Sequence, residues 1–181
     1  MAVSVPELAH GAVYATWTIL FFGALTTFTP MLDRRRELAA LFSAGIALSV
    51  VGTVRQGLQI LGILPGAACL LASLGLFGWA RVSISGRFFS YLGSRDTPQF
   101  VFTGGPYAYL RHPFYTSYLL ALLGGCLMFP GVLSLAGAAA GAAGMYGASR
   151  FEEGKFAKSP LAAEYAAYMQ RTGRFFPKLS R

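Results

Sequence analysis

Four stretches of this chain carry no Asp, Glu, Lys or Arg: Gly11–Leu32, Leu38–Val54, Gln56–Ala80 and Pro113–Ser149. A helix needs roughly 20 largely apolar residues to cross a bilayer core, so each of the first three suits one crossing. The fourth runs 37 residues, about 55 Å as one helix, which is too long for one crossing. Phe129-Pro130-Gly131 near its middle reads as a tight turn between two helices. The expectation is an all-α polytopic integral membrane protein with a C-terminal amphipathic segment. Its 181 residues form a single membrane domain with five spans, at about 9–30, 38–55, 60–80, 113–129 and 131–149. Segments 81–112 and 150–181 then lie on the cytoplasmic side as the polar, cofactor-binding parts. A β-barrel would show period-two alternation, which these stretches lack. No Lys or Arg precedes the first apolar run, whereas Glu7 and His10 do, which argues against a cleaved signal peptide.

Charge supports the same count. Only 12% of the residues are charged, against about 25% in a soluble domain. Five crossings put the first loop (Arg34, Arg35, Arg36), the segment after the third span (Arg81, Arg87, Arg95, Arg111) and the tail on one side. Together they hold 14 of the 15 basic residues, leaving only Arg55 opposite. Lys and Arg gather in cytoplasmic loops, so the N-terminus is expected outside and the C-terminus inside, in a bacterial inner membrane or the endoplasmic reticulum. The net charge of +8 then reads as attraction to anionic headgroups and not to nucleic acid. Cys69 and Cys126 both lie within apolar stretches and suggest neither a disulfide framework nor a metal site.

An antiparallel hairpin of the fourth and fifth spans brings its two open ends together at the cytoplasmic interface. One end carries Tyr107, Arg111, His112 and Tyr115; the other carries Arg150, Glu152 and Glu153. Ionisable groups at membrane depth are costly and usually functional. Pro113 suits the first turn of a helix, which leaves Arg111 at a helix N-terminus where an anion is favoured. Taken singly, His112 is an interfacial hydrogen-bonding residue, the glutamates a solvated helix end, and the tyrosines an aromatic belt. Gly137 and Gly141 form a small-xxx-small pair suited to close helix packing. In the tail, Leu161, Tyr165 and Tyr168 recur at helical spacing, predicting an amphipathic helix against the cytoplasmic face.

Gln99 to Tyr115 reads QFVFTGGPYAYLRHPFY, and the tail carries Glu152-Glu153, then E-Y-x-x-Y from Glu164, then R-F-F-P from Arg174. These elements resemble, in order, the two motifs of the isoprenylcysteine carboxyl methyltransferase family, which is also similar to phospholipid methyltransferases. The resemblance covers roughly Gln99 to Pro177 and agrees with five helices. It implies S-adenosylmethionine as cofactor, held without a Rossmann domain; no G-x-G-x-x-G is present. It places Gln99, Phe100, Val101, Phe102, Tyr107, His112, Pro113, Phe114, Tyr115 and Glu152 around that cofactor. Glu152 would pair with its ammonium, aromatic faces would favour the cation and purine, and His112 with main-chain groups would hold its carboxylate. For catalysis it points to Arg150, Glu153 and Arg174. The family's acceptor-contacting Arg would fall at Ala148, so Arg150 is the nearest candidate. Ser117 replaces a customary Gly, and the spacing from Glu153 to Tyr165 is one residue long, at Ser159-Pro160.

The resemblance implies a membrane O-methyltransferase acting on a lipophilic or lipidated acceptor from the bilayer, foremost a carboxylate such as an isoprenylcysteine-like group. A phospholipid amine acceptor would need a base, with Glu153 or His112 as candidates. The other readings are an NADPH-dependent membrane reductase and a non-catalytic membrane protein. No nucleic-acid partner is expected.

Overall fold

A computed structural model of the chain describes residues 4–27, 36–84 and 98–178, with side chains described at all of these except 23–27, 36–42 and 54–55. Of the basic residues used for topology, Arg34, Arg35, Arg87, Arg95 and Arg181 lie outside the described residues, as do the side chains of Arg36 and Arg55. The described residues form six α-helices and no strand: α1 Val5–Thr27, α2 Arg36–Arg55, α3 Ile63–Ser83, α4 Pro113–Met128, α5 Val132–Ala157 and α6 Ala162–Arg171. Two 3-10 turns, Ile60–Gly62 and Gly105–Ala108, precede α3 and α4.

Among the described residues two helical segments are long and apolar enough to cross a membrane, Ile60–Ser83 and Val132–Ala157; Ser43–Thr53 and Pro113–Met128 are shorter apolar helices. Leu61, Leu64, Leu71 and Val132 are strongly exposed, as suits lipid-facing positions of a membrane protein. The central helix is α4. It buries Phe114, Tyr118, Ala121, Leu122 and Met128 against its neighbours. The turn at Phe129-Pro130-Gly131 joins α4 to α5 as expected, and Gln59 N–H donates to the Met128 carbonyl at 2.8 Å, fastening the turn before α3 to the same corner.

Small residues set the helix spacing, because a missing Cβ lets backbones approach. A Cβ on Gly137 of α5 would sit 2.7 Å from the Gly45 carbonyl oxygen of α2, and one on Gly66 of α3 would sit 2.9 Å from that of Gly124 in α4. The Gly137–Gly141 pair therefore serves packing inside the bundle. Gly137→Leu is expected to lower stability by at least about 1–3 kcal/mol, since an overpacked seam must separate. Gly75→Ala, where no atom lies within 4 Å of the added carbon, should change little. Thermal unfolding in detergent compares the two, and equal transition temperatures would refute the seam.

Two features of the helices bear on the site. First, α5 continues past the end of the charge-free stretch at Ser149 to Ala157, so Arg150, Glu152 and Glu153 stand on the same helix as the span. Second, α6 turns its apolar face inward against the chain itself. Tyr165 stacks on Phe156 at 4.1 Å between ring centroids, and the buried Tyr168 hydroxyl donates to the Tyr107 carbonyl at 2.7 Å. In the turn before α6, at Ser159-Pro160, Ser159 Oγ donates to the Phe156 carbonyl and accepts from Leu161 N–H.

Candidate functional site

The site is assembled by backbone pairing between two distant segments. Arg111 N–H donates to the Gly173 carbonyl at 2.8 Å, His112 N–H to that of Arg174 at 3.2 Å, and Gly173 N–H to that of Tyr109 at 3.0 Å. Thr116 Oγ1 adds a bond to the Phe175 carbonyl. The tail is thereby laid along the entry to α4, directly over the C-terminal part of α5. The approach to this entry depends on Gly105, whose φ of +57° lies in the left-handed region. A Cβ there would also collide with Ser83.

Glu153 is the hub, and it is buried. Its Oε1 accepts from Arg111 Nε at 2.9 Å and Arg174 Nε at 3.1 Å, and lies 3.2 Å from His112 Nε2; its Oε2 accepts from Arg174 Nη2 at 2.5 Å. Arg111 also donates to the Thr172 and Met169 carbonyls. One carboxylate thus joins α5, the start of α4, the end of α6 and the tail. The bond to Glu153 also holds the Arg174 guanidinium more firmly protonated than usual.

Glu152 is engaged differently. Tyr115 donates its hydroxyl to Oε1 at 2.7 Å, while Oε2 lies 3.4 Å from His112 Nδ1. His112, buried at 8% exposure, therefore has a carboxylate at each ring nitrogen. Burial alone would push its pKa down, but the hydrogen bonds and charges of Glu152 and Glu153 outweigh burial and hold it above the ordinary value of 6.5. Its ring stacks on Tyr115 at 5.5 Å and lies 6.1 Å from that of Phe175.

The structure thus brings together His112, Tyr115, Glu152, Glu153 and Arg174. It distributes the other expected site residues as follows. Pro113 and Phe114 are buried, and Phe114 packs edge-on against Phe77 of α3 at 5.2 Å. Tyr107 is buried against Phe102, also edge-on at 5.2 Å. Val101 and Phe102 are half-buried, and Gln99 and Phe100 are exposed, along the segment leading in. Arg150 is exposed and donates to the Tyr146 hydroxyl at 3.5 Å. Arg174 stands over the same Tyr146 ring, 5.1 Å from its centroid. Ala148 is buried, so Arg150 could not take its place without turning inward. Ser117 is fully buried and bonds the Phe114 carbonyl, its own carbonyl accepting from Ser73 of α3.

Sequence reasoning missed the Arg111–Glu153 pair, because residues 42 positions apart show no local signal of pairing. It also missed Tyr146, although Tyr146 and Arg150 stand at i, i+4 on one helix face, a spacing that foretells contact.

A family model described as phospholipid methyltransferase matches residues 61–162, more than half of the chain. The chain is also 37% identical, over 113 residues, to the cobalt-zinc-cadmium resistance protein CzcN of Cupriavidus metallidurans; the match covers 61% of this chain and 51% of CzcN, so the chain spans about half the length of that curated relative. The chain belongs to the phospholipid methyltransferase family.

Proposed function

We propose that this member of the phospholipid methyltransferase family moves a methyl group from S-adenosylmethionine to a lipophilic acceptor arriving from the bilayer. The observation that carries this reading is the under-used carboxylate of Glu152. A carboxylate offers about four lone-pair sites. Those of Glu153 are taken up by two guanidiniums and an imidazole, whereas Glu152 receives one hydroxyl bond and one long contact to His112. Glu152 thus has capacity for an external ammonium, and the neighbouring faces of Tyr115 and Phe175 suit a cation and a flat base. The donor set fits the cofactor.

When bound, that cofactor supplies a methyl group activated by a sulfonium. The chain's part is to bind, orient and exclude water, since an in-line displacement gains most from positioning and a dry site. Glu152 holds the ammonium. The half-buried and exposed side chains of Gln99 to Phe102 form the remaining wall, and Tyr107, Pro113 and Phe114 fix its backing. Glu153, with both oxygens engaged by cations, positions Arg111 and Arg174. Arg150 and Arg174, which converge on Tyr146, face the acceptor and orient an anionic head; a carboxylate acceptor needs no general base. We read the site as cytoplasmic and the chain as crossing five times, because the polar ends of α4 and α5 gather both the site and the basic residues.

Calorimetry on detergent-solubilised protein is expected to show S-adenosylmethionine binding, and a Glu152→Ala, His112→Ala double variant should lose it. Undiminished binding by that variant would remove the reading. Incubating the protein with labelled cofactor and total membrane lipid, then identifying the labelled product by mass, distinguishes an ester from a methylated amine.

A further inference from the structure

We propose that Glu152 accepts the ligand's ammonium in exchange for a proton on His112, so that cofactor binding expels that proton. The inference rests on the cofactor reading above and concerns how the same site is regulated. A neutral imidazole has one N–H, yet both ring nitrogens of His112 face carboxylate oxygens, at 3.4 Å on Glu152 and 3.2 Å on Glu153. Only the doubly protonated ring satisfies both. His112 is then the resident counter-cation of Glu152.

The charges around it explain why a second cation displaces the first. From α5 come Glu152 and Glu153; from the entry to α4, Arg111; from the tail, Arg174. With His112 charged, three cations share two carboxylates. Tyr115 of α4 gives Glu152 a neutral hydroxyl bond. Tyr165 and Tyr168 of α6 are kept neutral, their phenols pushed up by burial. No other described side chain beside the ring can absorb an added positive charge. An ammonium on Glu152 would raise the excess in a buried cluster, whereas loss of the His112 proton leaves the total unchanged. Glu153 cannot take over, because Arg111 and Arg174 already occupy it. The opposite arrangement, in which the imidazolium pairs with the ligand's carboxylate, would keep the proton on the ring.

Linkage makes the two arrangements measurable. Binding that releases one proton tightens by about tenfold per pH unit over the range where His112 is charged in the free protein and neutral in the complex. The test is calorimetry of the full chain with S-adenosylmethionine near pH 6.5, in two buffers of different ionisation enthalpy. The expected result is a heat difference equal to release of more than half a proton, the same release with S-adenosylhomocysteine, which keeps the ammonium and lacks the sulfonium, and none with His112→Gln. Tight binding with equal heats in both buffers overturns the proton exchange and leaves the cofactor reading standing. Release that persists in His112→Gln also overturns it, because the proton then comes from elsewhere. No binding of either compound overturns both readings. Should His112→Gln fail to fold, the imidazole NMR signals of the parent, which has only two histidines, decide: the His112 signal must move from the imidazolium to the neutral position on binding, and a signal that stays overturns the exchange.

Discussion

Glu153→Gln is expected to destabilise the protein by about 3–5 kcal/mol, the usual cost of removing one partner from a buried ion pair. The substitution keeps the shape and removes the charge. Arg111, Arg174 and His112, drawn together by that carboxylate at 2.5–3.2 Å, would then face one another without it. Arg111 and Arg174 lie on segments held largely through each other's backbone, so the loss should release the tail and α6 before the helix bundle. Limited proteolysis should therefore cut first after Ala157, and thermal unfolding in detergent should begin at a markedly lower temperature. A variant that unfolds within about 1 kcal/mol of the parent and resists cleavage would show that the tail is held by its apolar contacts alone.

Arg150→Lys should lower turnover roughly 30- to 1,000-fold while leaving cofactor affinity nearly unchanged. That is the rate equivalent of losing a charge-assisted contact made in the transition state, on the order of 2–4 kcal/mol. Arg150 is exposed, forms no ion pair with a carboxylate among the described residues, and donates to the Tyr146 hydroxyl, beside Arg174. A planar guanidinium grips a carboxylate with two hydrogen bonds, which a Lys ammonium cannot reproduce. Steady-state kinetics with the product found by mass, together with calorimetry of cofactor binding, separates the two effects. Turnover within a few-fold of the parent would assign the acceptor to Arg174. Weakened cofactor binding instead would place Arg150 on the donor side of the site.

The helical class and the α4–α5 hairpin were legible from charge-free stretches, because a lipid-facing helix cannot hide its composition and a 37-residue apolar run cannot cross a membrane once. The site's location was legible for a related reason. Ionisable residues at both open ends of one hairpin must meet wherever the hairpin closes. Pro113 at the first turn of α4 marked one helix end, whereas the charge-free stretch, which closes at Ser149, gave no sign of where α5 stops, eight residues later at Ala157. Hydrophobicity reports where a helix meets lipid, and hydrogen bonding decides where it stops.

Partner choice belonged to the tertiary structure. Their place at the open ends of one hairpin singled out Arg111, His112, Glu152 and Glu153, and the family resemblance added Arg174, yet two adjacent glutamates on one helix are chemically equivalent in sequence. They became different only when the tail returned along residues 109–112 and set Arg174 against Glu153, filling it and leaving Glu152 with a hydroxyl and an imidazole. The amphipathic spacing of Tyr165 and Tyr168 likewise stated that α6 has an apolar face, but the long-range bond from Tyr168 to Tyr107 decided which part of the chain it meets. Local pattern records what each segment must bury; which surface accepts it depends on contacts across 40 to 60 positions of the chain, where no periodicity reaches.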